Sequence, residues 1–141
     1  MEPNREQPPQ DPPLIVLIVE DDFDLAADLA KRIAPVFTAE IAHTLEEALR
    51  ALDRGGEGRA SSSISISSAQ EPFCAAIIDP GLPDGDGMRV AVELRRRRRT
   101  VQLLVMTGRT VLDPINDAAV LDAAYVRKPF VLPALLAFLR R

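Results

Sequence analysis

Asp79 closes an apolar run that starts at Phe73, FCAAIID, and a Pro/Gly/Asp-rich stretch, PGLPDGDG, follows it to Gly87. Consecutive apolar and small residues between turn formers read as a strand buried on both faces, which holds a terminal carboxylate rigidly with its oxygens outward. Other polar groups stand at equivalent places. Glu20 and Asp21 end the run LIVLIV, Thr107 ends VQLLVM, and Lys128 ends AAYVR. Carboxylates gathered at one edge repel one another and push a pKa upward unless a cation joins them. Oxygen ligands with neither His nor Cys beside them select a hard cation, and a shell left open to water favours Mg²⁺. Lys128 supplies a compact positive charge suited to a phosphoryl group. Thr107 supplies a hydroxyl, and Gly108 a backbone N–H that no side chain obscures. A carboxylate nucleophile with Mg²⁺, a lysine and a hydroxyl is the equipment for phosphoryl transfer to an aspartate.

For these groups to meet, the strands must lie side by side and end at the same edge. The pattern of the chain provides this. Leu14 to Val19 is a continuous apolar strand, and a helix follows from about Asp22 to Ala34, with Leu25, Leu29 and Ile33 on one face and Pro35 ending it. Val36 to Ala42 reads as a shorter strand. Thr44-Leu-Glu-Glu47 has the form of a capping box opening a helix to about Asp53. Residues 54–71, RGGEGRASSSISISSAQE, read as a flexible Gly/Ser-rich loop leading to the Asp79 strand. A helix from Met88 to about Arg98, a strand from Val101 to Met106, a short helix over Pro114 to Leu121, a strand from Ala123 to Arg127 and a helix from Val131 to Arg141 complete the alternation. Five strands alternating with helices predict a parallel sheet with helices on both faces and right-handed crossovers. Its site is expected beyond the carboxyl ends of the strands, where the strand order reverses.

With 141 residues, the chain suits one domain with a substantial core. A net charge of −4 gives no global field towards nucleic acid or anionic lipid. The single cysteine, Cys74, excludes a disulfide framework, and its place in the central strand fits a reducing compartment. Residues 1–13, MEPNREQPPQDPP, read as a disordered Pro-rich tail without a signal core, and no apolar run is long enough to span a bilayer. A cytoplasmic protein is expected.

Four motifs in order, IVEDD at Ile18 to Asp22, IIDPGLPDGDG at Ile77 to Gly87, MTGR at Met106 to Arg109 and YVRKPF at Tyr125 to Phe130, resemble those of the response-regulator receiver domain, the CheY-like family of two-component signalling. The match covers residues 14–141. The resemblance implies a flavodoxin-like (βα)5 sandwich of three layers with strand order 2-1-3-4-5. It implies that Asp79 accepts a phosphoryl group from a histidine kinase or histidine phosphotransfer protein. Asp21 would ligate Mg²⁺ directly, Glu20 mostly through water, with Asp79 and the backbone carbonyl of Gly81 completing the protein's share. Lys128 and the Gly108 N–H would face the phosphoryl oxygens, and Thr107 with Tyr125 would form the switch that changes binding of a downstream effector. Lys128-Pro129 is a candidate cis peptide. The chain stops soon after the last helix, so a stand-alone receiver with no DNA-binding domain is expected, and homodimerisation stays open. The resemblance implies turnover confined to its own phosphorylation and slow dephosphorylation.

Pro80 departs from the family pattern, because the residue after the acceptor usually keeps its N–H, and proline removes it. A receiver-like binding module that works without phosphorylation is the alternative this suggests. A phosphatase of the haloacid-dehalogenase kind needs a second Asp two residues after its nucleophile, where this chain has Gly81. Arg95 to Arg99 reads as a solvated helix end or a contact for an acidic protein rather than for nucleic acid, since no aromatics interleave. His43 reads as an ordinary surface residue. Asp84 to Gly87 reads as turn formers, and Met88 at the next ligand position excludes a calcium loop.

Overall fold

The computed structural model describes residues 14–34, 36–58, 73–97, 101–107, 122–128 and 132–139. Strands β1 (Ile15–Val19), β2 (Thr38–Ala42), β3 (Phe73–Ile78), β6 (Gln102–Thr107) and β7 (Ala124–Arg127) form one sheet in the order β2-β1-β3-β6-β7, all parallel. Counting these strands alone gives 2-1-3-4-5, the expected flavodoxin-like order. The sequence direction reverses between β1 and β3, so Glu20 and Asp79 leave the sheet side by side. Two further strands, β4 (Gly81–Leu82) and β5 (Gly85–Asp86), make a small antiparallel ribbon within the acceptor loop, where the sequence suggests only turns.

The period-two alternation of the strands sorts their side chains onto two cores. Leu17, Val19, Ala76, Ile78, Leu103 and Val105 face helices α2 (Leu45–Gly58) and α3 (Met88–Arg97). Val16, Ile18, Ala75, Ile77, Leu104 and Met106 face α1 (Phe23–Ile33) and the last described helix (Leu132–Leu139). Both faces of β1 and β3 are sealed, which is why their sequences are apolar throughout. Each fully buried aliphatic side chain contributes about 1.5–3 kcal/mol. The central strands therefore form a stiff base for the residues at their ends.

Helix α1 begins where the Asp22 side chain accepts from the N–H of Leu25 at 3.1 Å, and it stops at Ile33, two residues before Pro35. Helix α2 continues through Arg54 to Gly58, into the stretch assigned to the loop. Arg97 of α3 donates to the Leu52 carbonyl at 3.2 Å and to Asp53 Oδ1 at 2.8 Å, fastening α2 to α3 partway along its length. Strand β2 is shorter than its apolar pattern suggests, since Val36 is about half exposed at 48%. Cys74 is only half-buried, and burial raises its thiol pKa. The Pro-rich tail, the rest of the Gly/Ser-rich loop, the short helix expected over 114–121 and the Lys128-Pro129 peptide lie outside the described residues.

Candidate functional site

Asp79 follows β3 directly, and its N–H donates to the Val19 carbonyl at 2.9 Å, which fixes it against the end of β1. Glu20 follows β1, and its N–H donates to the Ala42 carbonyl of β2 at 3.0 Å. Rigid strand ends thus set the two carboxylates beside each other. Lys128, just past β7, donates to Glu20 Oε1 at 2.6 Å and to Asp79 Oδ2 at 2.9 Å. Glu20, Asp21 and Asp79 each bring a carboxylate oxygen within 4.8 Å of the others. Residues from 20 to 128 in the sequence therefore converge at one edge.

The cluster is electrostatically unbalanced. Glu20 is 1% exposed and Asp79 is nearly as buried, while Asp21 faces solvent. Burial pushes the Glu20 carboxyl above its ordinary range, and the hydrogen bonds from Lys128 and from the Asp22 N–H only partly offset this. For Lys128, burial works against the charge, but hydrogen bonds to Glu20 and Asp79 outweigh it, so the ammonium is held above its usual pKa. One lysine facing three carboxylates leaves a net negative pocket. All of its donors are oxygens, half-open on the Asp21 side, and that donor set fits a small divalent cation.

The acceptor loop folds back over this pocket. The Gly81 N–H donates to Asp79 Oδ1 at 2.8 Å, supplying from the next residue the kind of donor that Pro80 lacks. The Pro80 carbonyl accepts from Leu82 at 3.2 Å and Gly87 at 2.9 Å, closing the loop. Gly87 is required here, because a Cβ would lie 2.3 Å from the Asp79 carbonyl oxygen. Thr107 ends β6 beside Arg127, which puts its backbone at the same edge; its side chain, and Gly108 entirely, lie outside the described residues. Tyr125 is half-buried against the core under α2 and α3.

Two features differ from the sequence reading. His43 Nδ1 lies 2.9 Å from the Glu20 carbonyl oxygen, a contact that needs the proton on Nδ1, and the ring stacks on exposed Phe23 with centroids 3.7 Å apart and planes within 4°. It braces the loop that carries the acidic pair. Its neighbours are remote in sequence, so no local pattern could have revealed this. Of the arginine run, the described residues bond within the chain: Arg96 pairs with Glu93 at 3.0 Å, Arg97 with Asp53, and Arg95 donates to the Val101 carbonyl at 2.8 Å.

Comparison with known proteins places this geometry. The transcriptional regulatory protein TctD of Salmonella typhimurium is 36% identical over 106 residues, covering 72% of this chain and 46% of its own length. The chain spans about half the length of the curated relatives it matches. A response regulator receiver protein from Pseudomonas putida superposes with a TM-score of 0.72 at 21% identity, over 91% of this chain and 96% of the other. The non-phosphorylated HemR receiver domain from Leptospira biflexa does so with a TM-score of 0.67 at 25% identity, over 91% and 92%. No protein-family model matches the chain. Among the described residues no helix is long and apolar enough to cross a membrane. Parallel order, converged acidic edge and relatives agree: the chain belongs to the CheY-like receiver domains of two-component response regulators.

Proposed function

We propose that the chain is a phosphoryl-accepting switch in which Asp79 is the acceptor. The observation that carries this reading is the position of Lys128, whose ammonium bridges Asp79 and Glu20 beside the exposed Asp21. In the transfer, an Asp79 carboxylate oxygen attacks the phosphorus of a phosphohistidine on a kinase or phosphotransfer protein. The P–O bond forms as the P–N bond breaks, and the departing imidazole takes up a proton. Lys128 then faces the added phosphoryl oxygens, with Gly108 N–H and the Thr107 hydroxyl assigned to the same oxygens. Glu20, Asp21, Asp79 and the Gly81 carbonyl would hold Mg²⁺, which supplies charge neutralisation for the incoming phosphoryl group.

The switch follows from charge. Phosphorylation replaces a carboxylate hydrogen-bonded to Lys128 with a larger anion, so contacts at the strand ends must rearrange. Thr107 and Tyr125 are the residues assigned to pass this change to an effector-binding surface. The relatives named as transcriptional regulators extend well beyond the matched stretch, and the receiver acts through a partner protein.

The test is labelling with acetyl phosphate, followed by intact mass. A gain of one phosphoryl group that requires Mg²⁺ and disappears in Asp79→Asn is expected. If partner capture is unchanged in Asp79→Asn and no label appears on the wild type, the phosphorylation-independent binding module replaces this reading.

A further inference from the structure

The transfer chemistry leaves the tip of the acceptor loop without a role. Asp84 stands at the turn of the β4–β5 ribbon, and its carboxylate reaches a helix remote in sequence. Oδ1 accepts from the Leu45 N–H at 2.7 Å and Oδ2 from the Glu46 N–H at 3.0 Å. The first N–H groups of a helix have no partner within it. The local capping pair of α2 serves others: Thr44 Oγ1 accepts from Glu47 at 3.0 Å, and Glu47 Oε1 accepts from His43 at 2.9 Å. Asp84 takes the two that this pair leaves over. A carboxylate is favoured at this positive helix end, and these N–H groups hold the Asp84 carboxyl below the usual carboxylate range.

The contact is close as well as charged. A Cβ on Gly85 would come within 2.7 Å of Leu45 Cδ2, and Leu82 packs in the same core as Leu45. At the other end of the ribbon, Gly81 holds Asp79 Oδ1 through its N–H. Between the two ends the ribbon is pinned by the pairing of Leu82 with Gly85 and of Gly81 with Asp86. The loop and the first turn of α2 therefore form one unit.

We propose that Asp84 is a positioning residue for the phosphoryl-acceptor site: by clamping the ribbon's turn onto the first turn of α2, it sets where Gly81 stands beside Asp79. The inference rests on the acceptor reading of Asp79 above. It also makes α2 a lever on the pocket, because any partner that displaces the start of α2 displaces the loop.

The experiment uses the full chain labelled with ¹⁵N, as wild type, Asp84→Ala, Asp84→Asn and Arg97→Ala. The last loosens α2 from α3 about two turns from the Asp84 contact and serves as a control for simple loss of stability. The readouts are the metal-free amide spectrum, Mg²⁺ titration without phosphodonor, and the rate of acetyl phosphate labelling. Asp84→Ala is expected to shift the Gly81 amide, to weaken Mg²⁺ about tenfold and to slow labelling, the scale on which loss of an outer support acts. Asp84→Asn keeps one acceptor oxygen and falls between, while Arg97→Ala stays within about twofold of wild type for Mg²⁺. A folded Asp84→Ala protein with an unmoved Gly81 amide and wild-type Mg²⁺ affinity overturns the clamp. If Asp84→Ala does not fold, Asp84→Asn decides: its Gly81 amide must shift together with those of Leu45 and Glu46, and a Gly81 amide that stays at its wild-type position overturns the clamp. Failure of the wild type to bind Mg²⁺ or to label refutes the acceptor reading instead, and the metal-free Gly81 shift still tests the clamp.

Discussion

Lys128→Met is the substitution whose effect follows most directly from the geometry. The long apolar stem keeps its place with methionine, but the ammonium that bridges Glu20 Oε1 at 2.6 Å and Asp79 Oδ2 at 2.9 Å is lost. The Lys128 side chain is 22% exposed and that of Glu20 1%, so water replaces little of the lost charge. Breaking a buried pair by removing one partner costs about 3–5 kcal/mol, and the partly open lysine places this one near the lower end. At a urea m-value of roughly 1.5 kcal/mol per molar, about 3 kcal/mol moves the midpoint down by about 2 M. The pH dependence separates this cause from simple packing damage. The raised pKa of Lys128 means that its stabilisation is complete below its unfolded value of 10.5 and is lost only as pH rises through the higher folded value, so wild type is insensitive to it at neutral pH. In the variant, Glu20 loses the hydrogen bond that restrained its upward shift, and a raised carboxyl loses stability as pH rises above its unfolded value of 4.5. The deficit is therefore smaller at pH 5 than at pH 8. Far-UV circular dichroism in urea, with chelator present, measures it in a chain with no tryptophan. Equal midpoints for the two proteins at pH 8, or a deficit that does not change with pH, refute the electrostatic account of the site.

Gly87→Ala forces a Cβ to within 2.3 Å of the Asp79 carbonyl oxygen, so the loop must open; a loss of about 2–3 kcal/mol in urea titration and of acetyl phosphate labelling is expected. Asp22→Ala removes the acceptor for the Leu25 N–H at the start of α1 and lowers stability by about 1 kcal/mol, read as a small drop in midpoint with unchanged slope. Asp84→Ala alters the acid limb of the stability profile. Its depressed carboxyl contributes stability above the unfolded value of 3.8 that is lost as pH falls through the lower folded value, so wild type and variant converge at low pH and separate at neutral pH. Added Mg²⁺ stabilises the wild type by mass action, and Asp79→Asn removes most of that gain, measured as the shift in thermal midpoint across a Mg²⁺ series.

The order and type of the main elements were legible because local physics dictates them. Runs such as LIVLIV and FCAAII are apolar at every position, which only a strand covered on both faces requires, and the helices between them carry a one-sided apolar stripe. The polar residues at four of the five strand ends were equally visible, and parallel topology brings such ends to one edge. The far end of α2 was not legible: the Gly-rich stretch from Arg54 read as loop, whereas the helix runs on to Gly58.

What the sequence could not determine is how the ends are joined. That Lys128 takes both Glu20 and Asp79, that His43 braces the Glu20 carbonyl, and that Asp84 serves the start of α2 depend on distances between segments whose separation in the chain carries no periodic signal. DGDG read as turn formers; Asp84 does sit at a turn, but Gly85 and Asp86 pair as a strand, and the folded chain places Asp84 against two N–H groups that helix α2 leaves unpartnered. Residue type and spacing determined which elements form and which groups reach the edge of the sheet. Tertiary packing decided which charges meet there, because a hydrogen bond or ion pair depends on ångström-scale positions that only the assembled cores supply.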